Sequence, residues 1–133
     1  MQRTEIIRTI DLEKCIVCLL RDDVIEVSFK ENTLVELEDI KKVFAAENEL
    51  MGNKKRFVIF ISPKVGTVSK EVRDFAADPI NNQNAIAKAL IVKNMGMRMI
   101  ANFFIAVNKP TVPHKIFETR LEALNWFDTI RSK

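Results

Sequence analysis

The feature that most constrains this chain is Phe57-Val58-Ile59-Phe60-Ile61, an unbroken apolar run of strand length. A strand that is apolar on both faces must be covered on both, so the run predicts a central strand with a layer above and a layer below. Its flanks agree. Upstream, Thr33 and Glu36 have the spacing of a capping box, in which each side chain satisfies a free backbone N–H of a helix's first turn. Leu37, Ile40, Val43, Phe44 and Leu50 then share one helical face, with Glu38, Asp39, Lys41 and Lys42 opposite, and Gly52 supplies the stop. Downstream, Ser62-Pro63 opens a loop. Ser69 follows as an N-cap with Glu71 in the first turn, and the short stripe Val72, Phe75, Ala76 ends at Pro79.

The N-terminal third reads as a meander of two or three antiparallel strands. Ile6, Ile7 and Ile10 lead to an Asp11-Leu12-Glu13 turn, and Cys15 to Leu20 is a β-rich apolar run. Arg21-Asp22-Asp23 has hairpin chemistry. Ile25, Val27 and Phe29 then alternate with Glu26 and Ser28. Ala85 to Val92 is ambiguous: its Ala and Leu content favours helix, yet Ala89 to Val92 equally suits a buried strand. Met95 to Val107 reads as a helix. Pro110 and Pro113 break it, Lys115 to Phe117 is a short strand, and Thr119 with Glu122 repeats the capping-box spacing. Leu121, Leu124, Phe127 and Ile130 form the inner face of a last helix, with Trp126 on its flank. Strand and helix alternate after the meander, which predicts an α/β domain with a mixed, mostly parallel sheet.

With 133 residues and no repeat, low-complexity tract or linker, residues 1–133 form one domain. The net charge of +3 is too small to argue for nucleic acid, and Lys54-Lys55-Arg56 reads as a solvated turn. Met1-Gln2-Arg3-Thr4-Glu5 does not lead into a secretory apolar region. No stretch reaches the roughly 18 apolar residues that span a bilayer. Two cysteines without an export signal suit a reducing, cytoplasmic setting.

Three stretches carry a family resemblance. Phe57 to Ile61 with Val68-Ser69-Lys70-Glu71-Val72-Arg73 is the first. Ala85 to Val92 with Arg98-Met99-Ile100-Ala101-Asn102-Phe103-Phe104 is the second. Asn108-Lys109-Pro110 through Phe117 to Glu122-Ala123-Leu124-Asn125-Trp126 is the third. Together they resemble the bacterial SpoIIAA-like branch of the STAS domains, a group placed beside the CRAL-TRIO lipid-transfer domains. The resemblance implies a sheet of about five to six strands with four helices packed on it. It also implies that Ala85 to Val92 is a strand. Many such domains carry a phosphorylatable Ser between the central strand and the next helix, which falls on Ser69 or Thr67 here. The acidic surroundings usual at that site are missing, so Ser69 reads as a phosphate switch or as a plain N-cap.

No catalytic, cofactor-binding or metal-binding constellation is expected. Cys15 and Cys18 have C-x-x-C spacing but lie in a strand, where positions three apart face opposite ways, so they read as packing residues. His114 is the sole histidine, which leaves no Cys/His zinc set, and it reads as a loop or strand-edge residue. Gly66-Thr67 lacks the rest of a phosphate loop. Glu36, Glu38, Asp39, Glu47 and Glu49 read as solvated helix faces.

The anomaly is the helix from Met95. A surface helix should have a polar half, and this one offers little beyond Arg98 and Asn102. Met95, Met97, Met99, Ile100, Phe103, Phe104 and Val107 must be covered within the monomer, by a second subunit or partner, or by an apolar ligand or lipid surface. Two readings follow: a non-catalytic STAS-type interaction module that pairs with a protein or with itself, and a small domain that binds an apolar ligand or lipid.

Overall fold

The computed structural model describes residues 7–132. Ile6, expected at the head of the first strand, lies outside them. The elements run β1 (Arg8–Asp11), β2 (Cys15–Arg21), β3 (Val24–Phe29), β4 (Thr33–Val35), α1 (Leu37–Met51), β5 (Arg56–Ile61), β6 (Gly66–Val68), α2 (Lys70–Ala77), β7 (Ala85–Ile91), α3 (Met95–Phe103), β8 (His114–Phe117) and α4 (Arg120–Arg131). A 3-10 turn, Pro79–Asn82, follows α2, and a π-helical turn, Phe104–Asn108, extends α3.

The main sheet has the order β1-β2-β3-β5-β7-β8. Strands β1 to β3 form the antiparallel meander, and β3, β5, β7 and β8 are mutually parallel. Each crossover helix moves the chain one strand further in the same direction. Helices α1 and α2 pack on one face, where Ile40, Val43, Ala46 and Val72 meet Val17, Ile25, Val27 and Val58. Helix α3 lies over that face too, above Phe60, Lys88 and Leu90. Same direction and same face give the three crossovers one hand, as parallel sheets require. Helix α4 makes no crossover and covers the other face, with Ala123, Leu124 and Phe127 against Leu20, Val24, Phe57, Ile59, Ala87 and Ala89.

Strand β5 therefore has the double cover its apolar run demands. Phe57 and Ile59 face α4, and the Phe57 and Phe127 rings stack with centroids 4.6 Å apart. Val58 faces α1. Strand β7 overrides its helical propensity because β5 and β8 pair it on both edges, and Ala87 and Ala89 let α4 approach closely.

Three expectations shift. The box that starts α1 is not Thr33 with Glu36: the N-cap is Glu36, whose N–H donates to the Asp39 carboxylate at 2.8 Å. Thr33 belongs instead to β4, which pairs in parallel with β6 in a two-stranded sheet that sequence periodicity does not reveal. These strands are three residues long, too short to show an alternation. Leu121 is not an inner residue of α4 but stays 58 % exposed, while Leu124 and Phe127 are buried and Ile130 packs at the edge of the same cluster. The Thr119–Glu122 box, Gly52 at φ +58° and the Ser69 cap stand as expected.

Candidate functional site

Helix α3 is fastened at both ends. At its start, Asn94 Oδ1 accepts from the Met97 N–H at 2.9 Å, and Asn94 Nδ2 donates to the Lys64 carbonyl at 2.9 Å. Past its end, Asn108 Nδ2 donates to Asp74 Oδ1 at 2.7 Å. Between these anchors the helix does not close onto the sheet. A cavity of about 140 Å³ is left beneath it. Its floor is Phe29, Phe60, Lys88 and Leu90 of the sheet, one wall is Val72, Arg73 and Ala76 of α2, and the roof is Met97, Ile100, Ala101 and Phe104. Strands β4 and β6 form the rim, and the exposed Thr67 of β6 and Ile100 of α3 mark the mouth. A Cβ on Gly66 would stand 2.8 Å from Pro63 Cγ and 3.0 Å from the Thr33 carbonyl, so glycine permits the approach that closes this rim.

A second cavity of about 230 Å³ lies beside the first and is lined by polar groups, among them Glu47, Asn48, Arg56, Asn81, Gln83 and Asn84. Lys88 lines both cavities. Its Nζ lies 5.0 Å from the centroid of the Phe44 ring and 5.5 Å from that of Phe60. Among the described residues it has no hydrogen-bond or ion-pair partner. The residue is 2 % exposed, and burial drives its ammonium below the usual lysine range, against the pull of Glu47. Glu47 is also buried, which pushes its carboxyl upward while Lys88 and Arg56 oppose the shift. Arg56 lies 3.8 Å from Glu47 and donates to the Gly52 and Lys54 carbonyls.

Two expectations are corrected here. Glu47 is not on a solvated face: α1 turns it toward the sheet beside Ala46. Arg56 is not part of a solvated turn, since it opens β5 and is 2 % exposed, while Lys54 and Lys55 are exposed. Lys88 escaped notice in the sequence, though a signal existed. A lysine inside the apolar run of a strand paired on both edges, Ala85-Ile86-Ala87-Lys88-Ala89-Leu90-Ile91, cannot reach solvent by snorkelling sideways.

Of the two readings of His114, strand edge and not loop is the one found: it opens β8, the edge strand of the sheet, and it also lines the first cavity. Its ring stands 5.5 Å from Phe104, and Nδ1 is 2.8 Å from the Val112 carbonyl. A carbonyl only accepts, so Nδ1 carries the proton. Burial pushes the imidazole down to about 4, and nearby Lys88 adds to the shift.

The residues singled out in α3 divide. Phe104 is buried and Met97 half-buried, both in the cavity roof. Ile100 spans roof and surface, while Met95, Met99, Phe103 and Val107 are exposed. Ser69 caps α2, its hydroxyl accepting from the Val72 N–H at 3.3 Å, and Thr67 lies on β6 at the mouth. Cys15 and Cys18 are both buried and free, Cys15 toward α1. Among the described residues no group of three or more His, Cys, Asp or Glu could hold a metal ion, and no helix is long and apolar enough to cross a membrane.

Fold and site together define an α/β domain built on a mixed six-stranded sheet, with an apolar chamber under one crossover helix and a buried lysine in its floor. The chain belongs to the DUF7793 family, a domain of unknown function, whose family model matches residues 18–131. No curated protein and no solved structure matches it.

Proposed function

We propose that this is a non-catalytic binding domain whose ligand is a small apolar molecule held under α3. The observation that carries the reading is the cavity itself: about 140 Å³, lined almost wholly by apolar side chains and open between β6 and α3. A dry apolar space of about 150 Å³ is enough to hold a molecule the size of benzene. The roof suits such a role. Methionine at position 97 is unbranched and adapts to differently shaped guests. Ligand-observed NMR with benzyl alcohol and hexanol tests the reading. Binding is expected to the native chain and is lost in Ala101→Phe, whose ring fills the chamber from the roof. Failure of the native chain to bind these compounds or the acids of the same shape ends the proposal.

A second reading rests on its own observation. Met95, Met99, Phe103 and Val107 recur at every fourth residue and remain 72 %, 66 %, 51 % and 58 % exposed. A stripe of this kind suits a contact with a protein partner or a second copy, the behaviour of a STAS-type regulatory module. The sequential parallel order β3-β5-β7-β8, with its crossovers on one face, supports that kinship. Sedimentation velocity over a wide concentration range tests self-association. A dimer dispersed by Met99→Lys supports the pairing, and a monomer at every concentration removes it.

A further inference from the structure

The chamber has a charge preference. Its lining holds two cations, Lys88 and Arg73, and no Asp or Glu. The bias extends along the chain: residues 79–117 carry Lys88, Lys93, Arg98, Lys109 and Lys115 without one carboxylate. Behind the floor, the buried charges do not balance. Glu47 is one potential anion facing two cations, Arg56 and Lys88, and the geometry gives it to Arg56 at 3.8 Å. Lys88 Nζ lies against two aromatic faces and feels Glu47 only at longer range, with no carboxylate within ion-pair distance. On the α2 wall, Arg73 spends Nη1 on the Val68 carbonyl and lies 5.5 Å from the Phe103 ring, while its buried Nε–H has no acceptor. The apolar chamber thus has one donor without a hydrogen-bond partner on its floor, the Lys88 ammonium, and a second inside its wall, the buried Arg73 Nε–H. A buried ammonium without a hydrogen-bonded anion is unfavourable, and a carboxylate in direct contact is what Lys88 lacks.

We propose that the ligand of this chamber is a small apolar carboxylic acid, bound as its carboxylate, with the ring or short chain under α3 and the head group received by Lys88 Nζ. This rests on the reading of the cavity as a binding site and names the chemical class that site selects. The size of the space limits the body to about one aromatic ring or a chain of about six carbons.

The test compares acids with alcohols of the same shape: benzoate against benzyl alcohol, and hexanoate against hexanol, by ligand-observed NMR on the full chain. The native protein is expected to bind each acid about tenfold or more tightly than its alcohol, the effect of one charge-assisted hydrogen bond in a dry site. In Lys88→Met, which keeps the volume and removes the charge, the alcohols bind as before and the preference for acids disappears. Equal binding of acid and alcohol by the native chain overturns the inference and leaves the apolar site standing. A preference that survives Lys88→Met overturns the role of Lys88. If neither acids nor alcohols bind, the cavity reading falls as well. Should Lys88→Met fail to fold, the native comparison of acid with alcohol decides the matter alone.

Discussion

Arg120, the first residue of α4, donates from Nε and Nη2 to the two carboxylate oxygens of Glu26 in β3, at 2.6 and 2.7 Å. The pair joins positions 94 apart in sequence and locks α4 onto the sheet edge-on to its own hydrophobic contact. Glu26 is 5 % exposed, so removing its partner strands a charge inside the domain. Arg120→Ala is expected to destabilise the fold by roughly 2 kcal/mol, at the lower end for a buried pair because the Arg120 side chain keeps 40 % of its surface. The double variant Glu26→Leu with Arg120→Leu should lose much less. Urea denaturation midpoints of the three proteins check both statements.

His114 makes stability depend on pH in one direction. Its folded value, about 4, lies below the ordinary 6.5, so the unfolded chain binds the proton more tightly. Its contribution is complete above 6.5, declines as pH falls through the interval, and is gone below about 4. By about 1.36 kcal/mol per unit the swing is at most about 3 kcal/mol. As the sole histidine, it offers a single imidazole resonance for NMR titration in the native state. His114→Leu should flatten the stability profile between pH 4 and 6.5.

Gly66→Ala sets a methyl against Pro63 and the Thr33 carbonyl, at a spot where β4 and β6 pair. Overpacking of this kind costs about 1–3 kcal/mol. Faster hydrogen exchange at the Val65 to Val68 amides, with the β7 core unaffected, would show that the damage is confined to the chamber's rim.

Ser69→Ala removes the acceptor for the Val72 N–H and should cost about 1 kcal/mol, whereas Ser69→Asp, itself a good cap, should fold as stably as the native chain. Thermal denaturation of the two variants distinguishes them.

Burial pushes the Cys15 thiol up to about 11, and both cysteines are enclosed. Ellman's reagent should therefore titrate no thiol in the native protein and two after denaturation in guanidinium.

Much of this fold is legible in local chemistry. The Phe57 to Ile61 run, the hairpin at Asp22-Asp23, the Ser69 and Thr119 caps and the stop at Gly52 each depend on residues within a few positions of one another. Such signals survive in the sequence because the physics behind them is short-ranged. β7 is an intermediate case. Its composition favours helix, family likeness pointed to strand, and only the neighbours on both its edges make strand the lower-energy choice.

What the tertiary structure alone decided is where charge is stranded and where space is left. Glu47 on a helix and Arg56 in a basic run look solvated in one dimension, and Lys88 looks incidental. The parallel register of β5 and β7 under α1 brings the three together, because burial is a property of what packs across a residue and not of its neighbours along the chain. The chamber has the same origin. Asn94 and Asn108 pin the two ends of α3 to partners 30 and 34 positions away, and the chamber lies beneath the helix so held, walled by residues from β3 to β8 that only the fold brings together.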